Sequence, residues 1–465
     1  MYYLASTPRL SRLTRTKRHL PMNGALLRRF GVWAALAMII AEVIGVGIFL
    51  TPAEMSRTLG STSWVLGVWA LVGLLSAAGA LCYAELGTRF PEAGGAYVYL
   101  REAFGERCAF VYGWMSLLVM DPGLTAALGV GLATYVLAVL GASASLVRVV
   151  AIGCILLLAT ISTLGIESSA RVLRLTALAK LATIGVLIVA VLLRSDPGDA
   201  AVSTAVPVPP FPALAGALMG AFFAFGGWWD LGKMGEEILE PRRTLPPALV
   251  GGVIVVTAVY AGLSVAFMRA MQGQAHATNE AFVSALGASL FGDAAGRLLA
   301  AAVVVAVAGS LTAVLLGAPR VYLAMARSGV FPASLVRFDP KRQSAPRATL
   351  IQVALACVLV TLGTFEQILG YFIPAAVFFL GLSAAAMLVI PRPPDHPAVF
   401  RAPWHPLPVI VFLLLVVVMI ALFAVGRPVQ TLIGAIVVSL GIPVSWVVVK
   451  RGRSKESPVR NEPTA

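Results

Sequence analysis

Charged residues are scarce in this chain. They make up 12% of its 465 residues, and hydrophobic residues make up 59%. A typical soluble chain carries about 25% charged residues. Two or three soluble domains are therefore excluded, because too few charged side chains exist to cover their surfaces.

Cysteine and histidine are also scarce, with four of each. The cysteines are single residues and none forms a CxxC pair, which argues against a metal knuckle and against a disulfide framework. The histidines have no catalytic-looking neighbours, and the sequence contains no nucleotide-binding loop of the form GxxxxGK[ST]. We therefore expect no enzyme activity, no ATP-driven transport within the chain, no metal and no cofactor.

Long apolar runs separated by short basic clusters dominate the sequence. A formal net charge of +14 first suggests nucleic-acid binding, but this layout is typical of a multi-spanning membrane protein, and no nucleic-acid partner is expected. A helix that crosses the bilayer needs about 20 mostly apolar residues. About 12 such spans are predicted, centred near Ala41, Leu71, Met120, Leu156, Val186, Ala221, Val256, Val304, Leu355, Val377, Leu415 and Val437.

The basic residues predict the orientation of these spans, because cytoplasmic loops carry an excess of Lys and Arg. With both termini in the cytoplasm, most of the 35 basic residues lie inside. The outside then keeps only Arg57, Arg148, Arg194, Arg269, Arg297 and Arg427. We expect a multi-pass protein of the inner (plasma) membrane, with basic tails that lie over anionic lipid.

Two of the predicted spans contain glycine interruptions. The first span has Gly45 and Gly47 in its apolar middle, and the sixth has Gly226 and Gly227. One such pair alone favours tight packing of small residues between helices. The two breaks are five spans apart, however, and an odd number gives two five-helix halves opposite topologies. Breaks at matching places in inverted halves indicate the substrate site of a transporter.

The chemistry of an unwound helix favours a particular substrate. Backbone N–H groups at the start of one half-helix attract an anion such as a carboxylate. Freed carbonyl groups at the end of the other half-helix attract a cation such as an ammonium group. A zwitterion that carries both groups on one carbon fits the two together, so the backbone chemistry suggests amino-acid transport.

Several motifs resemble the amino acid–polyamine–organocation (APC) superfamily, especially the L-type and related bacterial amino-acid permeases. The similarity runs from about Phe30 to Val449, and five signatures occur in family order. They are Gly45–Phe49 in the first helix, Cys82–Tyr99 between the second and third, Phe223–Pro246 in and after the sixth, Pro319–Pro332 at the end of the eighth, and Phe400–Pro406 before the eleventh.

The resemblance implies an all-α membrane fold of about 12 helices. Helices 1–5 would form a first inverted repeat over residues 29–195, and helices 6–10 a second over residues 210–392, with helices 1 and 6 broken. Two accessory helices would follow over residues 400–450. Cytoplasmic tails would occupy residues 1–28 and 451–465.

The resemblance also implies a substrate site at Gly45 and its neighbours. Val46 and Gly47 would offer N–H groups to the substrate carboxylate, and Phe223 would close over the bound substrate as an aromatic lid. Val46 departs from the family pattern, in which serine or threonine is usual, so a hydroxyl donor is lost. The α-ammonium group would be received by the carbonyls of Val43, Phe223 and Gly226.

An intramembrane lysine, Lys180, is expected to be functional unless it reaches the cytoplasmic interface, since an unpaired charge in the bilayer is costly. By resemblance it takes the place of a sodium ion, with Ser310 and Thr312 as hydroxyl neighbours. Glu42 and Asp121 lie at membrane depth as well. Each is a structural carboxylate, a proton acceptor or a clamp for a cationic substrate, and Asp121 would line the side-chain pocket.

A loop after the sixth span carries Glu236 and Glu237 ahead of Arg242 and Arg243. We expect ion pairs among these four residues that are weak if exposed.

We therefore expect a sodium-independent secondary transporter or exchanger of amino acids. A permease of the same fold for polyamines or cationic amino acids is the alternative, and a major-facilitator transporter is less favoured because its repeats are six helices long. The expected partners are a small amino acid or amine and membrane lipid, with no obligate protein partner.

Overall fold

The computed structural model describes residues 28–163, 166–194, 208–271, 283–284, 287–288, 292–336, 339, 344–392 and 399–456. Within these ranges the chain is helical, and its only β-type pairings are isolated bridges. An all-α fold was predicted, and it is confirmed. Most of both predicted cytoplasmic tails lies outside the described residues.

The first half of the chain begins with an interrupted helix. Its elements are α1 (Val32–Val43), α2 (Gly47–Leu59), α3 (Thr62–Arg89), α4 (Ala96–Phe104), α5 (Glu106–Met115), α6 (Asp121–Leu140), α7 (Val147–Thr163) and α8 (Ile166–Arg194). A π-helical turn, Ser116–Met120, joins α5 to α6. Pro122 lies two residues beyond this turn, and because proline lacks an N–H group and its ring displaces the preceding turn, the helix widens there.

The second half also begins with an interruption. Helix α9 (Phe211–Ala224) ends before the 3-10 turns Trp228–Lys233 and Gly235–Glu237. The elements that follow are α10 (Pro241–Met271), α11 (Asp293–Gly317), α12 (Pro319–Arg327), α13 (Pro346–Leu362), α14 (Phe365–Val389), α15 (Leu407–Gly426) and α16 (Pro428–Glu456). The described part thus has breaks in both predicted places, the first and the sixth spans.

Nine helical segments of the described chain are long and apolar enough to cross a membrane, and three shorter apolar helices accompany them. The shorter ones include α1, which is one half of the interrupted first span. Large apolar side chains are exposed along the outer helices, for example Leu414 and Val417 on α15 and Leu432 on α16. Such a surface is costly in water and suits lipid, so the multi-pass membrane fold is confirmed, while the number of twelve spans stays a prediction.

The interrupted helices lie in the middle of the molecule. Helix α1 packs against α8, α10 and α11, and α2 packs against α9. Before α1, the N–H groups of Arg29 and Phe30 donate to the carbonyl oxygen of Glu237 at 2.8 and 3.0 Å, and the Leu239 N–H donates to Phe30 at 2.8 Å. The main chain therefore ties the start of α1 to the segment that follows the second break.

Candidate functional site

The first break exposes backbone donors at the start of α2. Helix α1 ends at Val43, and the chain resumes a helix at Gly47. Among the described residues, no carbonyl accepts a hydrogen bond from the N–H of Val46 or of Ile48. The first N–H groups of a helix lack partners within it and carry its positive dipole end. A carboxylate is the group that this end of α2 attracts.

Gly47 lies directly against the second interrupted helix. A Cβ atom at this position would lie 2.7 Å from the Cα atom of Ala224, on the last turn of α9. Gly45 is less tightly enclosed, since its nearest neighbour would be the Ser310 hydroxyl at 3.2 Å. The two breaks are therefore in backbone contact, which only a glycine at position 47 permits.

Tyr260 of α10 joins the two breaks. Its hydroxyl lies 2.8 Å from the carbonyl oxygen of Val43, at the end of α1, and 2.8 Å from that of Ala224, at the end of α9. The Val43 carbonyl also accepts the Gly45 N–H at 2.7 Å. Sequence reasoning missed Tyr260, because a tyrosine in an apolar helix carries no signal of what its hydroxyl contacts. Since the Val43 carbonyl is already used twice, it is the least available of the three carbonyls predicted to receive an ammonium group.

The second break places an aromatic side chain at the site. Phe223 is half-buried on the last turn of α9, and its ring meets that of Phe365, the first residue of α14, edge to face with centroids 5.7 Å apart. The Phe223 carbonyl accepts the Gly226 N–H at 2.9 Å. Phe223 therefore packs against Phe365 beside the second break, and its role as a lid stays a prediction.

Val46 uses its side chain for packing. It is fully buried, and Gly131 on α6 provides the space for it, because any Cβ there would overlap the Val46 methyl groups. The hydroxyl usual at this position is thus replaced by an apolar contact that leaves the N–H group of Val46 unaffected.

Lys180 of α8 lies at the end of α1 and away from the surface. Its ammonium group donates to the carbonyl oxygen of Ala41 and to the Ser310 hydroxyl, the latter at 2.8 Å, and the residue is 1% exposed. Ser310 in turn donates to the same carbonyl at 2.7 Å. A cation therefore rests on the negative dipole end of α1. Thr312 was expected beside it, but its hydroxyl donates to the Ala308 carbonyl within α11.

Asp121 is held by the protein's own side chains. One carboxylate oxygen accepts from Lys233 at 3.1 Å, and the other accepts from Ser116 at 2.6 Å and Tyr322 at 2.7 Å. Lys233 also donates to Asp230 at 2.9 Å. Asp230 and Lys233 both follow the second break, and their i, i+3 spacing at the end of an apolar span was the available signal for their pairing.

Glu42 contributes a further carboxyl group close to these residues. It lies on the last turn of α1, is 6% exposed, and contacts Asp230. Glu42 and Asp121, which sequence reasoning singled out separately, thus belong to one buried polar cluster that also contains Asp230 and Lys233.

Glu236 and Glu237, in the loop after the second break, pair with two arginines that the sequence did not indicate. Glu237 contacts the guanidinium of Arg320 at 2.9 Å in a buried ion pair, and Glu236 contacts Arg327 at 2.8 Å. Arg243 pairs with Glu240 instead. The predicted pairing of Arg243 with Glu236 or Glu237 was wrong. Helix α12 brings Arg320 and Arg327 to this loop from a distant part of the sequence.

Metal binding finds no support in the described ranges, where no group of three or more His, Cys, Asp or Glu side chains is arranged to hold an ion.

Comparison with known proteins gives consistent matches. A family model described as an amino acid permease matches residues 30–448. The serine/threonine exchanger SteT of Bacillus subtilis (strain 168) is 31% identical over 354 residues, which cover 75% of this chain and 80% of the relative. The large neutral amino acids transporter small subunit 2 of Oryctolagus cuniculus is 28% identical over 434 residues, with 91% of this chain and 81% of the relative covered. The Asc-type amino acid transporter 1 of Mus musculus is also 28% identical, over 442 residues and with the same coverage.

Proposed function

This chain belongs to the amino acid permease family, and on that premise we propose that it carries neutral amino acids across the plasma membrane by alternating access, without sodium. One observation carries the proposal: the two interrupted helices contact each other at Gly47 and Ala224, beside N–H groups at the start of α2 that no carbonyl in the described chain uses. A site of this kind binds an α-carboxylate.

The binding roles follow from this geometry. The N–H groups of Val46 and Gly47 hold the carboxylate, and the carbonyls of Phe223 and Gly226 receive the α-ammonium group, with Val43 contributing less. Phe223 closes over the substrate and separates from Phe365 when the site opens. Alternating access would occur by motion of the interrupted helices around this fixed site.

Lys180 takes the role of a resident cation. Its ammonium group already neutralises the Ala41 carbonyl at the end of α1, together with Ser310. A free sodium ion at the same place would be repelled by the ammonium charge. Sodium-independent transport follows, and enzyme activity has no role in this account.

The orientation and the partners are part of the proposal. Both termini lie in the cytoplasm, as the distribution of Lys and Arg favours, and the two inverted repeats extend over residues 29–195 and 210–392. One relative is named as a small subunit. We propose that the present chain transports without a partner subunit, because its own helices already bury both breaks.

The proposed substrate class, neutral amino acids, is taken from the relatives. One of them is named as an exchanger of serine and threonine, and another as a transporter of large neutral amino acids. A cationic amino acid or polyamine is the second candidate, since a buried carboxyl group, Glu42, lies next to the first break. The described charges favour neutral substrates, because Asp121 and Asp230 are both paired with Lys233.

Thermal melting of the purified protein against all amino acids and common amines tests the proposal. A ligand at about 100 times its Kd stabilises the folded state by about 2.7 kcal/mol, so neutral amino acids should raise the melting temperature in a concentration-dependent way. Stabilisation by polyamines or arginine alone would favour the second candidate. No stabilisation by any compound would contradict binding at this site.

A further inference from the structure

The carboxyl groups of Glu42 and Asp230 form a contact that bridges the two interrupted helices. Glu42 lies on the last turn of α1, and Asp230 lies in the 3-10 turn after the second break. The Asp230 N–H donates to the Gly227 carbonyl at 2.9 Å, and the two carboxyl groups lie close enough to interact. Gly227, with φ of +116°, makes the approach possible, because a Cβ atom there would lie 2.7 Å from Cγ of Glu42.

Each carboxyl group has one oxygen that lacks a donor in the described chain: Oε1 of Glu42 and Oδ1 of Asp230. Both residues are more than nine-tenths buried, with 6% and 1% exposure. An unpartnered oxygen is costly in such surroundings. Two adjacent carboxylates also repel each other, and like charges this close are not both ionised. A single proton held between them removes both costs.

The charge balance of the surrounding cluster also requires one positive charge. Three buried acids, Glu42, Asp121 and Asp230, face two buried lysines, Lys180 and Lys233. Lys233 is shared by the two aspartates, and Lys180 is bound to Ala41 and Ser310. One negative charge is left over, and it falls on the Glu42–Asp230 pair.

The other groups that face the pair do not supply that charge. The titratable and charged side chains that interact with the pair come from α3, α5, α6, α8 and the 3-10 turn, and they are Tyr83, Tyr112, Asp121, Lys180 and Lys233. Tyr322 of α12 donates to Asp121. The tyrosines are neutral, and both lysines are already engaged.

We propose that Glu42 and Asp230 share one exchangeable proton, and that this proton couples substrate transport to the proton gradient. The inference rests on the proposed transport function and adds the coupling ion and its site to it. With the proton bound, the O–H of one carboxyl group donates to the other and links α1 to the turn after the second break. When the proton leaves for the opposite side of the membrane, two carboxylates remain, and their repulsion separates the ends of the interrupted helices.

An ammonium group of a cationic substrate is the competing occupant. Both carboxyl groups are buried, and the Gly227 backbone closes one side of Glu42, so a substrate ammonium group has little room to approach the pair. The geometry therefore favours a proton.

The test uses full-length protein in liposomes that contain the pH dye pyranine, with the membrane potential clamped by potassium and valinomycin. L-threonine is added outside, and internal pH is followed. We expect threonine to acidify the lumen in the wild type. Glu42→Gln and Asp230→Asn each remove this acidification and flatten the pH dependence of threonine uptake. The matched control Asp293→Asn, an exposed acid at the start of α11, leaves both unchanged.

Counterflow of labelled amino acids in the same vesicles separates the inference from the proposed function. No counterflow of any amino acid would overturn the proposed function itself. Counterflow of threonine without acidification in the wild type would overturn only the shared proton, even if the amide variants do not fold.

Two further outcomes would assign the site differently. If Lys180→Ala loses the pH dependence of uptake and both amide variants keep it, the proton is on Lys180 and the inference is overturned. Arginine counterflow that needs Glu42 and moves no proton would overturn it in favour of the ammonium clamp.

Discussion

Single glycines determine how closely the two helix breaks approach each other. Gly47 contacts the backbone of α9 at Ala224, and Gly227 lets Glu42 reach the second break. At both positions a methyl group would meet atoms that belong to the other interrupted helix. The distance between the breaks is thus fixed by missing side chains, and small substitutions there should affect transport more than folding.

Gly47→Ala is expected to slow transport at least about fivefold, since overpacking costs about 1–3 kcal/mol. Gly251→Ala is the matched control, because no atom lies within 4 Å of a Cβ at that position in α10. Initial uptake rates of the monodisperse proteins in liposomes measure the effect. Equal rates for Gly47→Ala and the wild type would contradict the assigned contact.

Phe223→Ala is expected to weaken the apparent substrate affinity several-fold, because an edge-to-face aromatic pair contributes about 0.5–1.5 kcal/mol beyond its buried area. Phe211→Ala, on an exposed residue of the same helix, should keep wild-type values. Concentration dependence of labelled threonine exchange gives both affinities. Unchanged rate and affinity would mean that Phe223 only packs against Phe365.

Individual residues were predictable from the sequence to different degrees. An intramembrane lysine is conspicuous, and Lys180 does contact Ser310 as expected. Tyr260 and Phe365 were not found, because their roles depend on which way a helix is rotated, and periodicity in an almost uniformly apolar segment does not reveal this. Lys233 was overlooked because it lies at the end of an apolar span, where a cation usually reaches the surface.

Among the helices, the interruptions of the first and sixth spans are the features that the sequence predicts best. Glycine pairs in otherwise apolar spans identified both, and the structure ends α1 and α9 next to them. The link between them was not predictable, since it comes from α10 through the Tyr260 hydroxyl. Long-range contacts of this kind require the packed fold.

Tyr260→Phe should lower the unfolding free energy by about 1–3 kcal/mol, because the buried carbonyls of Val43 and Ala224 lose the single hydroxyl donor that they share. Tyr135→Phe removes a longer donor bond of 3.3 Å to a single carbonyl, that of Phe49, from an equally buried tyrosine and should have a smaller effect. Melting in detergent, with and without threonine, compares the two variants. A larger loss for Tyr135→Phe would contradict the view that Tyr260 holds the breaks together.

For the whole molecule, the described conformation is closed at the end where α1 begins. Main-chain bonds from Arg29 and Phe30 reach Glu237, and the Glu237 side chain forms a buried pair with Arg320. The start of α1, the segment after the second break and α12 are thereby held together. Alternating access requires this closure to open while the opposite side closes.

Glu237→Gln should loosen that closure, because removing one partner of a buried ion pair costs about 3–5 kcal/mol. Hydrogen–deuterium exchange of residues 28–43 should become faster. Glu236→Gln is the control, since its pair with Arg327 is partly exposed and such pairs contribute about 0–1 kcal/mol. Equal exchange in both variants would show that the buried pair does not hold the N-terminal segment.

Counterflow in sodium-free buffer tests the central claim most directly. Liposomes that contain the full-length protein are loaded with unlabelled threonine and placed in choline buffer with labelled threonine. The account predicts that label accumulates transiently above equilibrium in the wild type, equally with and without sodium, and that Lys180→Ala loses most of this activity because the carbonyl end of α1 loses its cation. A strict requirement for sodium in the wild type, or a wild-type rate in Lys180→Ala, would contradict the account.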